Sequence, residues 1–393
     1  MGQPQVQLPT DVNTEQMSDY RQSEISLLPR VWIVAPSPPP HGGMSVQAEK
    51  LQKRLAGEGI AAELIATNPP PPRSLKSLAQ MPVIRTVLRE IQYLISLGRI
   101  VRGPGVVHHF SASYAFFFLH SAPLLLLGKC SPAKVVLNYR GGKAAEFLRT
   151  WSWLTRPLLT CAHQIAVPSE FLQRVFADFG LAATVLPNLA DTELFPFVDR
   201  KQFSPRLFVS RNLEPIYDIE CVLRAFRTVQ EEVPQAELSI AGEGSESDRL
   251  RRCVQRWGLC GVTFCGAVPH QQLPALYQRH DVYVNASRVD NFPGALLEAA
   301  CAGLPIVTTR AGGIPEMIRH RDNGLLCDVG NDRQLANCIL EILHHQNLAR
   351  QLARHARSWV EQFAWHNVFP HLLRCYGFAS DQTTGLREQL LAH

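Results

Sequence analysis

Residues Ser287–Ile318 read SRVDNFPGALLEAACAGLPIVTTRAGGIPEMI. A loop carrying Asp290 runs at Pro293 into a helix-length apolar segment, with Glu298 about one turn inside it. Ile306–Thr308 is a short β-branched strand, and Gly312-Gly313-Ile314-Pro315-Glu316 brings bare backbone amides and a second helix start. Loop, helix, apolar strand, glycine loop and helix in this order predict a parallel sheet covered by helices on both faces.

The same layout extends in both directions. Upstream, Leu207–Ser210, Glu237–Ala241, Val262–Cys265 and Val282–Asn285 are strands separated by helical patterns. A first set, Val31–Ala35, Ala62–Ala66, Val106–Phe110, Val135–Tyr139, Ile165–Pro168 and Thr184–Leu186, precedes them. Two such units imply an α/β protein with two doubly wound, Rossmann-like domains facing across a cleft, since open parallel sheets bind ligands beyond the carboxyl ends of their strands. The joint falls near Phe195–Pro205, where prolines and mixed charge replace periodicity. We therefore expect a flexible tail at 1–29, a first domain at 30–200, a second at 201–365, and a closing helix and tail at 366–393. Beyond Asp332 the pattern is mostly helical.

The 393 residues, 46% hydrophobic and 19% charged, describe a globular chain with a formal net charge of +5. The surplus lies in the first half, where Arg73, Lys76, Arg85, Arg89, Arg99 and Arg102 face one acid, Glu90, within thirty residues. That is a local patch, not the overall basicity of a nucleic-acid binder, so no nucleic-acid partner is expected. With the Trp151, Trp153, Arg149 and Arg156 cluster it suits contact with an anionic membrane. The ten cysteines are scattered without C-x-x-C pairs, so neither zinc nor a disulfide framework is expected, and the compartment reads as reducing and cytoplasmic. The apolar run Tyr114–Leu127 covers 14 residues, too short to span a bilayer, and is expected to be a buried core helix. Adjacent strand residues point to opposite faces, so one of His108 and His109 must turn away from the cleft. No G-x-S-x-G or H-E-x-x-H supports a hydrolase.

Asp290 and Glu298 beside two helix starts suit a ligand with phosphates and sugar hydroxyls. They equally suit a helix cap and a solvated charge. The order S-x-x-D-N-F-P-x-x-L-L-E-A-x-x-x-G-L-P-I-V-x-T-x-x-G-G-I-P resembles the donor-site signature of the family 4 retaining glycosyltransferases, which have the GT-B fold. Gly42-Gly43-Met44, Val167–Leu172, Leu186–Asp191, Ile240–Gly244 and Val262–Gly266 resemble further family segments in the same order. The resemblance implies transfer of a sugar from a nucleotide-diphosphate donor to a hydroxyl of a glycan or lipid-linked glycan, with retention and without a metal or other cofactor. It implies that Glu298 binds the donor ribose, Asp290 contacts the transferred sugar, and Gly312, Gly313 and Ile314 line the diphosphate and sugar. Gly42, Gly43, Asn291 and Phe292 join the donor site on the same ground, and Arg211 matches the diphosphate-binding arginine.

Three positions depart from the pattern. Asp290 stands where the family usually has Glu, Tyr217 where it has a phosphate-binding lysine, and Arg140 where many members have histidine. Arg140 restores a positive charge if it reaches the diphosphate, so Asp290, Arg140 and Arg211 are the expected catalytic set. The competing readings are a nucleotide-sugar binding or partner protein without turnover, and a nucleotide-sugar epimerase. Location at the cytoplasmic membrane face follows from the basic patch.

Overall fold

The computed structural model describes residues 30–38, 42–71, 81–100 and 103–378. The expected tail at 1–29, residues 379–393, and Arg73, Lys76 and Arg102 of the basic patch lie outside the described residues.

Two six-stranded parallel sheets organise the chain. The first comprises β1 (Val31–Ala35), β2 (Ala62–Ala66), β3 (Val106–Ser111), β4 (Lys134–Tyr139), β5 (Gln164–Val167) and β6 (Thr184–Val185) in the order β2-β1-β3-β4-β5-β6. Its helices are α1 (Gly43–Gly57), α2 (Pro82–Ile100), α3 (Ala122–Gly128), α4 (Ala144–Leu159) and α5 (Glu170–Asp178). The second sheet comprises β7 (Arg206–Ser210), β8 (Glu237–Ala241), β9 (Val262–Gly266), β10 (Val282–Asn285), β11 (Ile306–Thr309) and β12 (Leu325–Cys327) in the order β12-β11-β10-β7-β8-β9. Around it lie α6 (Ile219–Glu232), α7 (Ser247–Trp257), α8 (Leu273–Arg279), α9 (Gly294–Ala302), α10 (Ile314–Met317), α11 (Asp332–His344) and α12 (Gln346–Val360). The last helix is α13 (Trp365–Tyr376).

Each sheet has a core on both faces because its strands are apolar at successive positions. In β1, Trp32 and Val34 join Tyr93 and Leu97 of α2, while Val31 and Ile33 face the opposite core with Leu51 and Leu55 of α1. That second core is completed by α13, whose Val368, Phe369, Leu372 and Leu373 pack beside Ile33 and Val106. The chain's last described helix therefore belongs to the first sheet.

The expectation of a buried helix over Tyr114–Leu127 needs correction. A π-turn at Phe117–Ser121 leads into the short α3, and Leu119, Leu126 and Leu127 remain exposed. A run apolar at nearly every position cannot turn all its side chains to a core on one side of a helix. The joint is also tighter than its composition suggests. Arg200 is buried against the second domain, donating to the carbonyls of Tyr277, His280 and Ala302 and pairing with Asp281 at 3.4 Å.

Candidate functional site

In the second sheet the strand order reverses between β7 and β10, the crevice where open α/β sheets take ligands. Arg211 leaves β7 at that point. Its Nε donates to Asn285 Oδ1 at 3.0 Å, its Nη2 donates to Ser287 Oγ at 3.3 Å, and the same nitrogen forms an ion pair with Asp290. Burial alone would lower its basicity; the Asp290 carboxylate reverses this and holds the guanidinium above its ordinary value. Tyr217 lies in a 3-10 turn at Pro215–Tyr217, and the Arg211 guanidinium stacks over its ring at 4.8 Å. The tyrosine thus supplies a face to Arg211.

Glu298 sits one turn into α9 and is buried. Its Oε1 lies 2.9 Å from His270 Nε2 and 4.0 Å from Lys50 Nζ of α1, and its Oε2 accepts from the Tyr277 hydroxyl at 3.1 Å. Burial favours the neutral acid, but the His270 hydrogen bond and the Lys50 charge outweigh it and keep the carboxyl below its ordinary value. The solvated-charge reading of Glu298 is therefore excluded. Lys50 makes it a contact between the two domains.

The glycine loop departs from the expectation of bare amides. The Gly313 N–H donates to Asp290 O and the Ile314 N–H to Ala311 O, both at 3.0 Å, so neither is open to a ligand. Ile314 itself is fully buried, and α10 is only four residues long. What the loop needs glycine for is proximity. A Cβ on Gly312, at φ +51°, would lie 2.1 Å from Asp290 O, and one on Gly313 would lie 2.1 Å from Asn291 O. Phe292 likewise packs into the core, edge-on to Phe363 at 5.2 Å. Asn291 spans the cleft, its Nδ2 donating to the carbonyls of Arg140 and Gly141 at 3.1 and 3.0 Å.

On the facing wall, Gly43 starts α1, and the Gly42 N–H donates to Ser45 Oγ at 3.0 Å. Arg140 follows β4. Its guanidinium lies over the Phe110 ring at 4.8 Å, and its Nε donates to Asn138 Oδ1 at 3.1 Å. No Asp or Glu among the described residues forms an ion pair with it. Burial pulls its pKa down, to about 9, leaving it charged at neutral pH. The side chain lines a small pocket bounded by Gln47, Leu51, Phe110, Leu189 and Trp365. His108 and His109 point to opposite faces, as strand geometry demands, yet both are buried. The ring of His108 is bonded to Tyr376 and Asn138, and that of His109 to Ser121 and the Val34 carbonyl.

Residues 41–194 match the family model described as Glycosyltransferase Family 4, and residues 192–359 match Glycosyl transferases group 1. The chain belongs to the family 4 glycosyltransferases. Glycogen synthase of Mycobacterium tuberculosis is 31% identical over 228 residues, covering 55% of this chain and 53% of that protein. N-acetyl-alpha-D-glucosaminyl L-malate synthase of Bacillus anthracis is 27% identical over 221 residues, covering 53% and 54%. The chain thus spans about half the length of the curated relatives it matches. Among solved structures, sucrose-phosphate synthase from Thermosynechococcus elongatus superimposes with a TM-score of 0.72 at 19% identity, covering 93% of this chain and 99% of that one. Anabaena HepE in complex with UDP-glucose gives 0.65 at 18% identity, covering 88% and 98%. The fold is GT-B.

Within this family 4 chain, sequence reading missed Lys50, His270 and Tyr277, which surround Glu298. Lys50 carried a faint signal, lying one turn beyond Gln47 on the inward side of α1. His270 follows a turn with no periodicity of its own, and nothing in the sequence marks it.

Proposed function

We propose that this protein transfers a sugar from a nucleoside diphosphate sugar to an acceptor hydroxyl, with retention of configuration and without a metal ion. The observation that carries this reading is the switch point of the second sheet, where an arginine–carboxylate pair and a buried carboxylate stand eight residues apart at one sheet edge. The ribose hydroxyls take the Glu298 carboxylate, replacing the long Lys50 contact. The diphosphate competes with Asp290 for Arg211, freeing the carboxylate for the sugar. A guanidinium suits phosphate because two of its N–H groups meet two oxygens in one plane.

As the anomeric carbon–oxygen bond breaks, negative charge grows on the departing phosphate, and Arg211 stabilises it. In a retaining transfer the acceptor hydroxyl attacks from the face the diphosphate leaves, and its proton passes to a phosphate oxygen. No carboxylate base is then required, which agrees with Asp290 and Glu298 both being paired to cations. Arg140 is a second candidate for the diphosphate charge, and reaching it requires the side chain to swing off Phe110. The donor is of the kind seen in HepE, whose structure holds UDP-glucose.

The test is turnover of labelled nucleotide sugars against a membrane extract, with the product anomer read by NMR and chelator added in a parallel arm. Label in a product of the donor's own anomeric configuration, unaffected by chelator, supports the proposal. Label in an altered free nucleotide sugar shows an epimerase. Binding without turnover shows a nucleotide-sugar binding protein, the reading favoured by the uncharged Tyr217 at the lysine position.

A further inference from the structure

Thirteen large apolar side chains stand exposed among the described residues, and eleven of them lie between Met81 and Trp153. Val83, Ile95 and Trp153 are more than 70% exposed, at 75%, 71% and 72%. They are not scattered. At about 100° per residue, Val83, Val87, Ile91, Leu94 and Ile95 fall within one third of the circumference of α2. The inner arc of the same helix carries Tyr93, Leu97 and Ile100, which are buried in the first domain. A helix on a protein surface normally keeps one apolar stripe, facing its core. α2 has two.

The neighbouring helices repeat the feature. α2 packs beside α3 and α3 beside α4, forming one layer on one face of the first sheet. α3 exposes Leu126 and Leu127, and α4 exposes Trp151 and Trp153, with the Trp151 ring edge-on to Phe118 at 5.4 Å. The charge around these side chains has one sign. Residues 81–160 expose Arg85, Arg99, Lys129, Lys134, Lys143, Arg149 and Arg156 against one exposed carboxylate, Glu146. Glu146 is 3.9 Å from Lys143, and Arg99 shares Glu63 at 3.6 Å; Glu90, the other acid of this stretch, is half-buried beside His120. Arg85 and Arg99 flank the outer stripe of α2 on one side.

We propose that α2, α3 and α4 form a face that docks on an anionic lipid surface. A protein partner of ordinary composition would leave these cations unmatched. A bilayer interface supplies both halves of the match, acyl chains for the valines, isoleucines and leucines and acidic headgroups for the arginines and lysines. Tryptophan is well placed there, because its ring sits among the chains while its N–H meets the headgroups. Among the described residues no helix is long and apolar enough to cross a membrane, and the proposed contact is one of lying on the surface.

The experiment is flotation with vesicles of phosphatidylcholine alone and of phosphatidylcholine with phosphatidylglycerol. Three proteins are compared: the full chain, Ile91→Gln with Ile95→Gln, and Arg85→Gln with Arg149→Gln. Nucleotide affinity and circular dichroism are measured alongside, so that loss of folding and failure of the donor-site reading both register separately. The full chain is expected to float with anionic vesicles only, and less as salt rises, since the Debye length falls to roughly 3 Å at 1 M. Each double variant is expected to lose at least tenfold in vesicle partitioning with nucleotide affinity unchanged. Equal flotation with both vesicle types, or folded variants that float like the full chain, overturns the proposal. So does a full chain that ignores vesicles but sediments as a dimer which Ile91→Gln with Ile95→Gln makes monomeric, because the face then belongs to a second copy.

Discussion

Among the described residues Arg140 has no carboxylate partner, whereas Arg211 is neutralised by Asp290. An unpaired charge in a water-poor site costs folding free energy, and replacing it with an apolar chain of similar length is often stabilising. Arg140→Met should therefore raise the unfolding free energy by about 1 kcal/mol while lowering turnover. Denaturant midpoints and steady-state rates check both halves. A fall in kcat places Arg140 on the diphosphate, and a rise in acceptor KM alone places it in the pocket. A variant that is less stable and fully active makes it a structural residue. Glu298 gives a companion test. Glu298→Gln keeps the Tyr277 contact and the packing of α9 but removes the charge, and nucleoside diphosphate affinity should fall by about 1.5–3 kcal/mol, the worth of a charged hydrogen bond. Calorimetry that finds unchanged affinity in the folded variant rejects the ribose assignment.

At the scale of elements, the two glycine loops make opposite demands. Gly313 lies against the Asn291 carbonyl, so Gly313→Ala forces the 290–291 loop outward and should lower both thermal stability and activity. A Cβ on Gly43 meets nothing within 4 Å, so Gly43→Ala should leave thermal stability intact. If its activity falls nonetheless, the bare position serves a ligand; if activity is also intact, Gly43 is only a turn residue. Melting curves paired with rates distinguish these outcomes.

Most of the elements were legible because strands such as Val31–Ala35 and Ile306–Thr309 are short runs rich in apolar and β-branched residues, which mark a sheet covered on both faces. β12 was not, being only three residues long. The pair Asp290 and Glu298 was legible from motif spacing. Their partners were not, because Arg211, Tyr277, His270 and Lys50 arrive from four separate elements, and no local pattern records contacts that skip whole elements of the chain. The bare-amide expectation failed at Gly313 and Ile314 for a related reason. Whether an N–H is free depends on the carbonyl opposite, here that of Asp290, which only the fold supplies.

For the whole molecule, burial dictates a pH dependence. His108 and His109 are held at about 3 by burial in the first domain, against an ordinary value of 6.5. Below pH 6.5 the unfolded chain binds protons at these rings and the folded chain does not, so stability falls as pH drops. From neutral pH to about 5, each ring should contribute a loss on the order of 2 kcal/mol. Urea midpoints across that range measure it, and a flat profile would show that the two imidazoles are not buried in their neutral form.

The position of α13 bears on how the chain is made. Between Leu189, the last residue of the first domain's inner core before the joint, and Tyr376 at the end of α13, the ribosome must add 187 residues. At typical synthesis rates of about 5–20 residues per second, that takes roughly 10–40 s. Throughout this interval one face of the first sheet, with Ile33, Val106 and Val136, has α1 but lacks α13 while the second domain is synthesised and folds. The domain that begins first is the one that finishes last, and its half-covered sheet is the species a chaperone would meet.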